Sequence, residues 1–173
     1  MANISRDVSH TLYLTQNVVV ANASTLPIYG SVEKADNFFA MLLEGESWCF
    51  LNRDKRVKCL VSATKLVDQL NYSGEVVSAD QPLQFPRGTD TTVPGAIEEA
   101  TYWLALALSK GVDPDTERDN AFMKTQAFGN LRTEYDRSSP PVHIINGIPS
   151  PRAWALLRPF LVEDRGLNLR RVS

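Results

Sequence analysis

The chain has 173 residues, 43% of them hydrophobic and 22% charged, with 18 Lys plus Arg against 20 Asp plus Glu. That length suits a single core, and the composition excludes a disordered or fibrous chain. A formal net charge of −2 excludes a global attraction to polyanions, so a nucleic-acid role would have to rest on a local patch.

Residues 1–27 read as an extended arm, with short β-branched or alternating stretches, "TLYL" and "NVVV", closed by Leu26-Pro27. The start of the chain lacks the basic region and apolar run of an export signal, and no stretch approaches the roughly 20 apolar residues of a membrane span. A soluble protein without an export signal is the expectation.

A first helix is predicted from Ser31, whose hydroxyl can cap free backbone donors, with Glu33 in the first turn. Its apolar face is Val32, Ala35, Phe38, Phe39 and Leu42, and Gly45 is its expected end. The second helix is the clearest: Val57, Leu60, Val61, Thr64, Val67 and Leu70 fall on one face, and "NYSG" supplies the stop. The segment "QPLQFPRGTDTTVPG", residues 81–95, reads as a stiff connector with Phe85 turned inward, because its prolines fix their own backbone angles and extend the residues before them. Arg87 is its candidate clamp, within the fold or across a subunit boundary. A third helix follows, capped at Thr92 or Val93, with Pro94 in an early position and Lys110-Gly111 at its end. It is apolar almost all round, which predicts central burial.

"VDPDTERDN" reads as an acidic linker. The segment to Asp136 has a strand pattern, with Leu131, Thr133 and Tyr135 on one side and Gly129 as a bulge or turn. The prolines of "SSPPVHIINGIPSP" predict no regular structure before Ser150-Pro151, which open a last helix holding Trp154, Leu157 and Leu161, shortened or kinked by Pro159. From Glu163 the tail is polar with isolated apolar residues. The fold class is therefore mainly α: a small bundle of about four helices with a minor β element, organised as an arm (1–27), a helical domain (28–162) and a C-terminal tail (163–173).

Little in the chain carries catalysis. Only His10 and His143 supply imidazole, neither in a triad context, and phosphate-binding glycine loops and metal-ligand spacings are absent from the sequence. The carboxylate pairs Glu98-Glu99, Asp113 with Asp115, and Glu163-Asp164 read as helix-start or solvated residues. The expectation is a protein that is not an enzyme and takes no cofactor and no metal. Cys49 and Cys59 read as small core residues in a reducing compartment. Arg53, Lys55, Arg56 and Lys58, after Trp48 and Phe50, interleave cation and aromatic as single-strand binders do. Against that, such a run is most often the wet face of a helix whose neighbouring aromatics pack into the core.

The order "YGSVEKADNFF", Trp48, "KRVKCLVSATKLVDQLNYSGE", "QPLQFPRG", "VPGAIEEATYWLALAL" and "AFGNLRTEY" resembles phage-encoded proteins labelled DnaT-like single-stranded-DNA-binding proteins. The match runs from about Tyr29 to Tyr135, and its most specific piece is Gln81, Pro86 and Arg87 after Tyr72 and Gly74. Members of that group resemble head-completion or head-to-tail adaptors, small helical subunits that ring the portal of tailed phages. The resemblance implies a virion structural protein at the head–tail interface, made in the host cytoplasm. Copies would form a closed ring, a dodecamer of about twelve, joining the portal to tail or nozzle proteins. Genomic DNA would pass its lumen without sequence-specific contact, and no membrane is involved. The arm is longer than the resemblance implies. The alternative, carried by the group's label, is a single-stranded-DNA-binding protein.

Under the adaptor reading, Leu12, Leu14, Val18, Val19 and Val20 are the arm's candidate assembly contacts, adding as strands to a neighbour. Leu167, Leu169 and Val172 are the tail's candidate apolar anchors on a portal, with Arg165, Arg170 and Arg171 for acidic partners.

Overall fold

The computed structural model describes residues 27–122, 125–128, 131–134 and 140–162. Helix α1 (Val32–Ala40) starts where Ser31 adopts extended backbone and its hydroxyl accepts the Lys34 amide. It stops at Ala40 rather than at Gly45. The chain then tightens into a 3-10 turn (Leu43–Gly45) and runs into the short α2 (Glu46–Cys49). Gly45 belongs to that turn: a Cβ there would lie 1.9 Å from the Phe39 carbonyl oxygen, so only glycine lets the turn press against α1.

Helix α3 (Arg53–Asp68) is capped by Asn52, which accepts the Lys55 amide, and buries Cys59, Leu60, Ala63, Thr64 and Val67. Helix α4 (Gly95–Ser109) is the centre of the body. Ile97, Ala100, Thr101, Tyr102, Leu104, Ala105 and Leu106 are all buried, as an all-round apolar helix requires. Its start differs from the expected cap at Thr92 or Val93. Pro94 holds the cap position, and its carbonyl accepts the Ile97 amide at 2.9 Å.

"VDPDTERDN" is not a linker: most of it forms α5 (Pro114–Phe122). Asp113 explains the difference, because its carboxylate accepts the Asp115 amide and the Thr116 hydroxyl, while Pro114 starts the helix where no donor is missed. Strands β1 (Thr125–Phe128) and β2 (Leu131–Glu134) form an antiparallel hairpin whose register closes on Phe128 opposite Leu131. Gly129 itself lies outside the described residues.

The proline-rich segment is also more regular than expected. It holds a one-turn helix, α6 (Val142–Ile145), entered from Pro141 and closed by the Asn146 side chain, which donates to the Val142 carbonyl. Ser150 caps α7 (Pro151–Leu157), and at Pro159 the chain is a 3-10 turn (Arg158–Phe160), the shortening its sequence predicts.

The four helices read from sequence are α1, α3, α4 and α7, and three further helices, α2, α5 and α6, join them among the described residues. One core fills the space between α1, α3, α4 and α7, with Tyr29, Phe39, Trp48, Leu60, Ile97, Leu104, Ile148 and Leu157 essentially inaccessible. Among the described residues no helix is long and apolar enough to cross a membrane.

Candidate functional site

The connector after α3 is built around Arg87. Its Nε donates to the Ser73 carbonyl at 3.0 Å, Nη2 to the carbonyls of Tyr72 and Gly74, and Nη1 to Gln84 Oε1 at 2.6 Å. Planar, multiply donating guanidinium is the group that can gather three backbone carbonyls of one turn. Gln81 works from the other side, its amide donating to the Leu83 and Pro86 carbonyls. The Phe85–Pro86 peptide is cis. Phe85 is buried, edge-on to Tyr72 with ring centroids 4.6 Å apart. Arg87 is thus a clamp within the fold: its donors are occupied by its own chain and not turned to a ligand.

Below the connector, one Asp68 oxygen accepts both the Tyr29 hydroxyl and the Gln84 amide, and the Tyr29 amide donates to Thr64 Oγ1. Burial first, then the Asp68 carboxylate, holds the Tyr29 hydroxyl well above the ordinary tyrosine range. Tyr72 is raised in the same way, by burial and then Asp68. This polar network locks the connector to α3.

The basic cluster divides on inspection. Arg56 bonds Asp36 Oδ2 at 2.8 Å and the Cys49 carbonyl at 2.8 Å, while Asp36 Oδ1 takes the Trp48 indole donor at 2.7 Å. Arg53 faces Glu33 at 3.5 Å. Lys55 and Lys58 are exposed. Trp48 is in the core, as its sequence context predicts, but Phe50 is not: it is 88% exposed. Cys59 is buried and Cys49 exposed, so only one of the two thiols is a core residue. Residues two apart on a helical turn point about 200° apart, so Trp48 and Phe50 cannot both face inward. Leu43, seven residues before Phe50, is 93% exposed and Met41 is 81% exposed.

A groove of about 640 Å³ lies between the second half of α3, the end of α4, the start of α5 and α6. Leu66, Leu70, Leu108 and Ile145 give it apolar walls, and Lys65 and Arg118 stand among its lining residues. A second cleft of about 380 Å³ is lined by Pro27, Asp68 and Leu83, where the described chain begins.

Of the other sequence-predicted residues, His143 is half-buried with Nδ1 2.9 Å from the Ile148 carbonyl oxygen, a contact inside its own turn. Glu98 pairs with Lys34 at 2.8 Å. Among the described residues no three His, Cys, Asp or Glu gather as a metal-binding group. The arm candidates Leu12, Leu14, Val18, Val19 and Val20, the tail candidates Arg165, Leu167, Leu169, Arg170, Arg171 and Val172, and His10 lie outside the described residues. The exposed Met41, Leu43 and Phe50 are surface residues that sequence reasoning missed; the spacing of Leu43, Trp48 and Phe50 is the signal that could have found them.

A family model described as "Putative DnaT-like ssDNA binding protein" matches residues 12–172. No curated protein and no solved structure matches the chain.

Proposed function

Given that the chain belongs to the DnaT-like ssDNA binding protein family, we propose that it is a structural component of a tailed-phage particle, a head-to-tail adaptor whose copies ring the portal. The observation that carries this reading is the character of its surface. The body holds five of its cations in the pairs Lys34–Glu98, Arg53–Glu33, Arg56–Asp36, Arg118–Asp115 and Arg152–Glu44, two of them from the basic cluster, where Lys55 and Lys58 stay exposed. At the same time it leaves Met41, Leu43 and Phe50 in water. A dedicated polyanion binder keeps more of its cations free for phosphates. Large apolar side chains left this exposed suit a surface that meets another protein.

In this reading the helical body makes the lateral contacts of a ring of about twelve copies. The arm pairs with a neighbour or a tail protein and the tail contacts the portal, so the protein works without catalysis, metal or cofactor. DNA passes the lumen untouched by a net-acidic subunit, and the mature location is the head–tail interface of the virion. The experiment is negative-stain imaging of the purified chain mixed with its portal protein. A ring seated on the portal supports the reading, and deletion of residues 164–173 removes that association while the body stays folded. A chain that ignores the portal overturns it.

Single-stranded-DNA binding is the second reading, favoured by the family description and by Phe50 standing exposed beside Arg53, Lys55 and Lys58. One stacking platform and two exposed lysines make a small site. Phe50→Ala would then reduce single-strand affinity about tenfold or more, the value of one stacked base.

A further inference from the structure

We propose that the surface carrying Leu43 and Phe50 docks into the α3–α6 groove of a second copy, giving a head-to-tail joint between identical subunits. The joint rests on the adaptor reading in naming the lateral contact of that ring. Leu43 and Phe50 are two helical turns apart along the 3-10 turn and α2, so they share one outward face. They cannot turn inward. Phe39 and Trp48 already fill the core side, with ring centroids 5.0 Å apart, and Gly45 seats the turn on the Phe39 backbone.

The receiving groove has complementary chemistry. Leu66, Leu70, Leu108 and Ile145 form an apolar strip among polar lining residues such as Gln69, Asn71 and Asn146, and the groove of about 640 Å³ has room for two apolar side chains. Its exposed Lys65 has no carboxylate within ion-pair distance among the described residues, and beside the Leu43–Phe50 face the exposed Glu46 has no cation partner among them either. Arg118 is already held by Asp115 at 3.1 Å, so Lys65 is the cation left for Glu46. The two surfaces cannot satisfy each other within one molecule. Phe50 precedes α3 and the groove lies along its second half; Arg53 and Leu66 alone are separated by about 20 Å of helix, at roughly 1.5 Å per residue. Two different complementary faces on one chain make a heterologous contact, which closes into a ring when its rotation allows.

Exposed Cys49, next to Phe50, allows a direct test in the full chain, with Ser62→Cys placing a second thiol in the groove wall. Under oxidised glutathione the variant gives a ladder of disulfide-linked oligomers, joined between Cys49 and the introduced thiol, whereas the parent chain gives none. Adding Leu43→Asp and Phe50→Ser removes the ladder without changing helical circular dichroism, since both side chains are outside the core. Cys49-to-Cys49 dimers of the parent chain would mean face-on-face packing and overturn the joint. So would a ladder that survives the double substitution, or an oxidised Ser62→Cys chain that stays monomeric. Portal association separates the two ideas: a ladder without portal binding removes the adaptor reading and keeps the joint. Portal-bound rings from the double variant do the reverse.

Discussion

Asp68 accepts the Tyr29 hydroxyl across 39 residues of sequence and, with the same oxygen, the Gln84 amide at 2.7 Å. One carboxylate therefore ties the residue that precedes α1 and the connector that follows α3 to a single point on α3. Asp68→Ala leaves a buried hydroxyl and a backbone donor without their acceptor, and is expected to cost about 3 kcal/mol. Tyr29→Phe leaves Asp68 bonded to Gln84 but takes the acceptor from the Phe85 amide, which donates to the Tyr29 hydroxyl at 3.3 Å, at about 2 kcal/mol. Chemical denaturation of both variants checks the order; equal losses would place the stabilisation in Tyr29 alone.

Arg87 is held by the carbonyls of Tyr72, Ser73 and Gly74 and by Gln84. Arg87→Lys keeps the charge but loses the planar fork, and a single ammonium cannot reach all of these acceptors. We expect a loss of about 2 kcal/mol, on the scale of one or two charge-assisted hydrogen bonds. Thermal unfolding measures it. A variant as stable as the parent would show that Arg87 serves a partner and not the fold.

Gly45→Ala places a methyl group where the Phe39 carbonyl oxygen stands, 1.9 Å away, and backbone cannot swing aside as a side chain can. The expected cost is about 3 kcal/mol or more. Because the turn sets the direction of Leu43 and Phe50, oligomer formation should fall with it. A stable, fully assembling variant would contradict the packing described.

Tyr29, Tyr72 and Tyr102 all have hydroxyls raised above the ordinary value of about 10, by burial first and then by Asp68 or, for Tyr102, by Glu98. Their folded values lie above the unfolded one, so their contribution is complete below about pH 10 and is lost as pH rises beyond it. Each can remove about 1.4 kcal/mol per pH unit in that window. Alkaline titration followed by tyrosinate absorbance and circular dichroism should show these tyrosines ionising together with loss of helix. Ionisation near pH 10 with the helices intact would contradict it.

The parts of the fold legible in sequence are those with a local cause. Ser31 and Ser150 announce helix starts through their own hydroxyls, and each accepts the amide three residues on. The all-round apolar pattern of α4 announces its central place, and the prolines around Phe85 announce an inward aromatic. Arg87 was legible as a clamp because nothing chemical accompanied it. The rest depended on neighbours. α5 was hidden because Asp113 and Pro114 read equally as loop residues until their side chains are seen capping. Phe50 and Cys49 looked like core residues by type, and only the direction of α2 against α1 puts them in water. The groove joins residues from α3 through α6, a juxtaposition no local pattern contains.

The central claim is that this chain assembles through protein contacts rather than through nucleic acid. Its most direct test is the solution mass of the purified full chain, by analytical ultracentrifugation at low and high salt, with and without portal protein and labelled single-stranded DNA. Closed assemblies or portal-bound rings that persist at high salt are expected, with no sedimentation of label with the protein. A monomer that binds the labelled strand, with affinity falling steeply as salt rises, would contradict it.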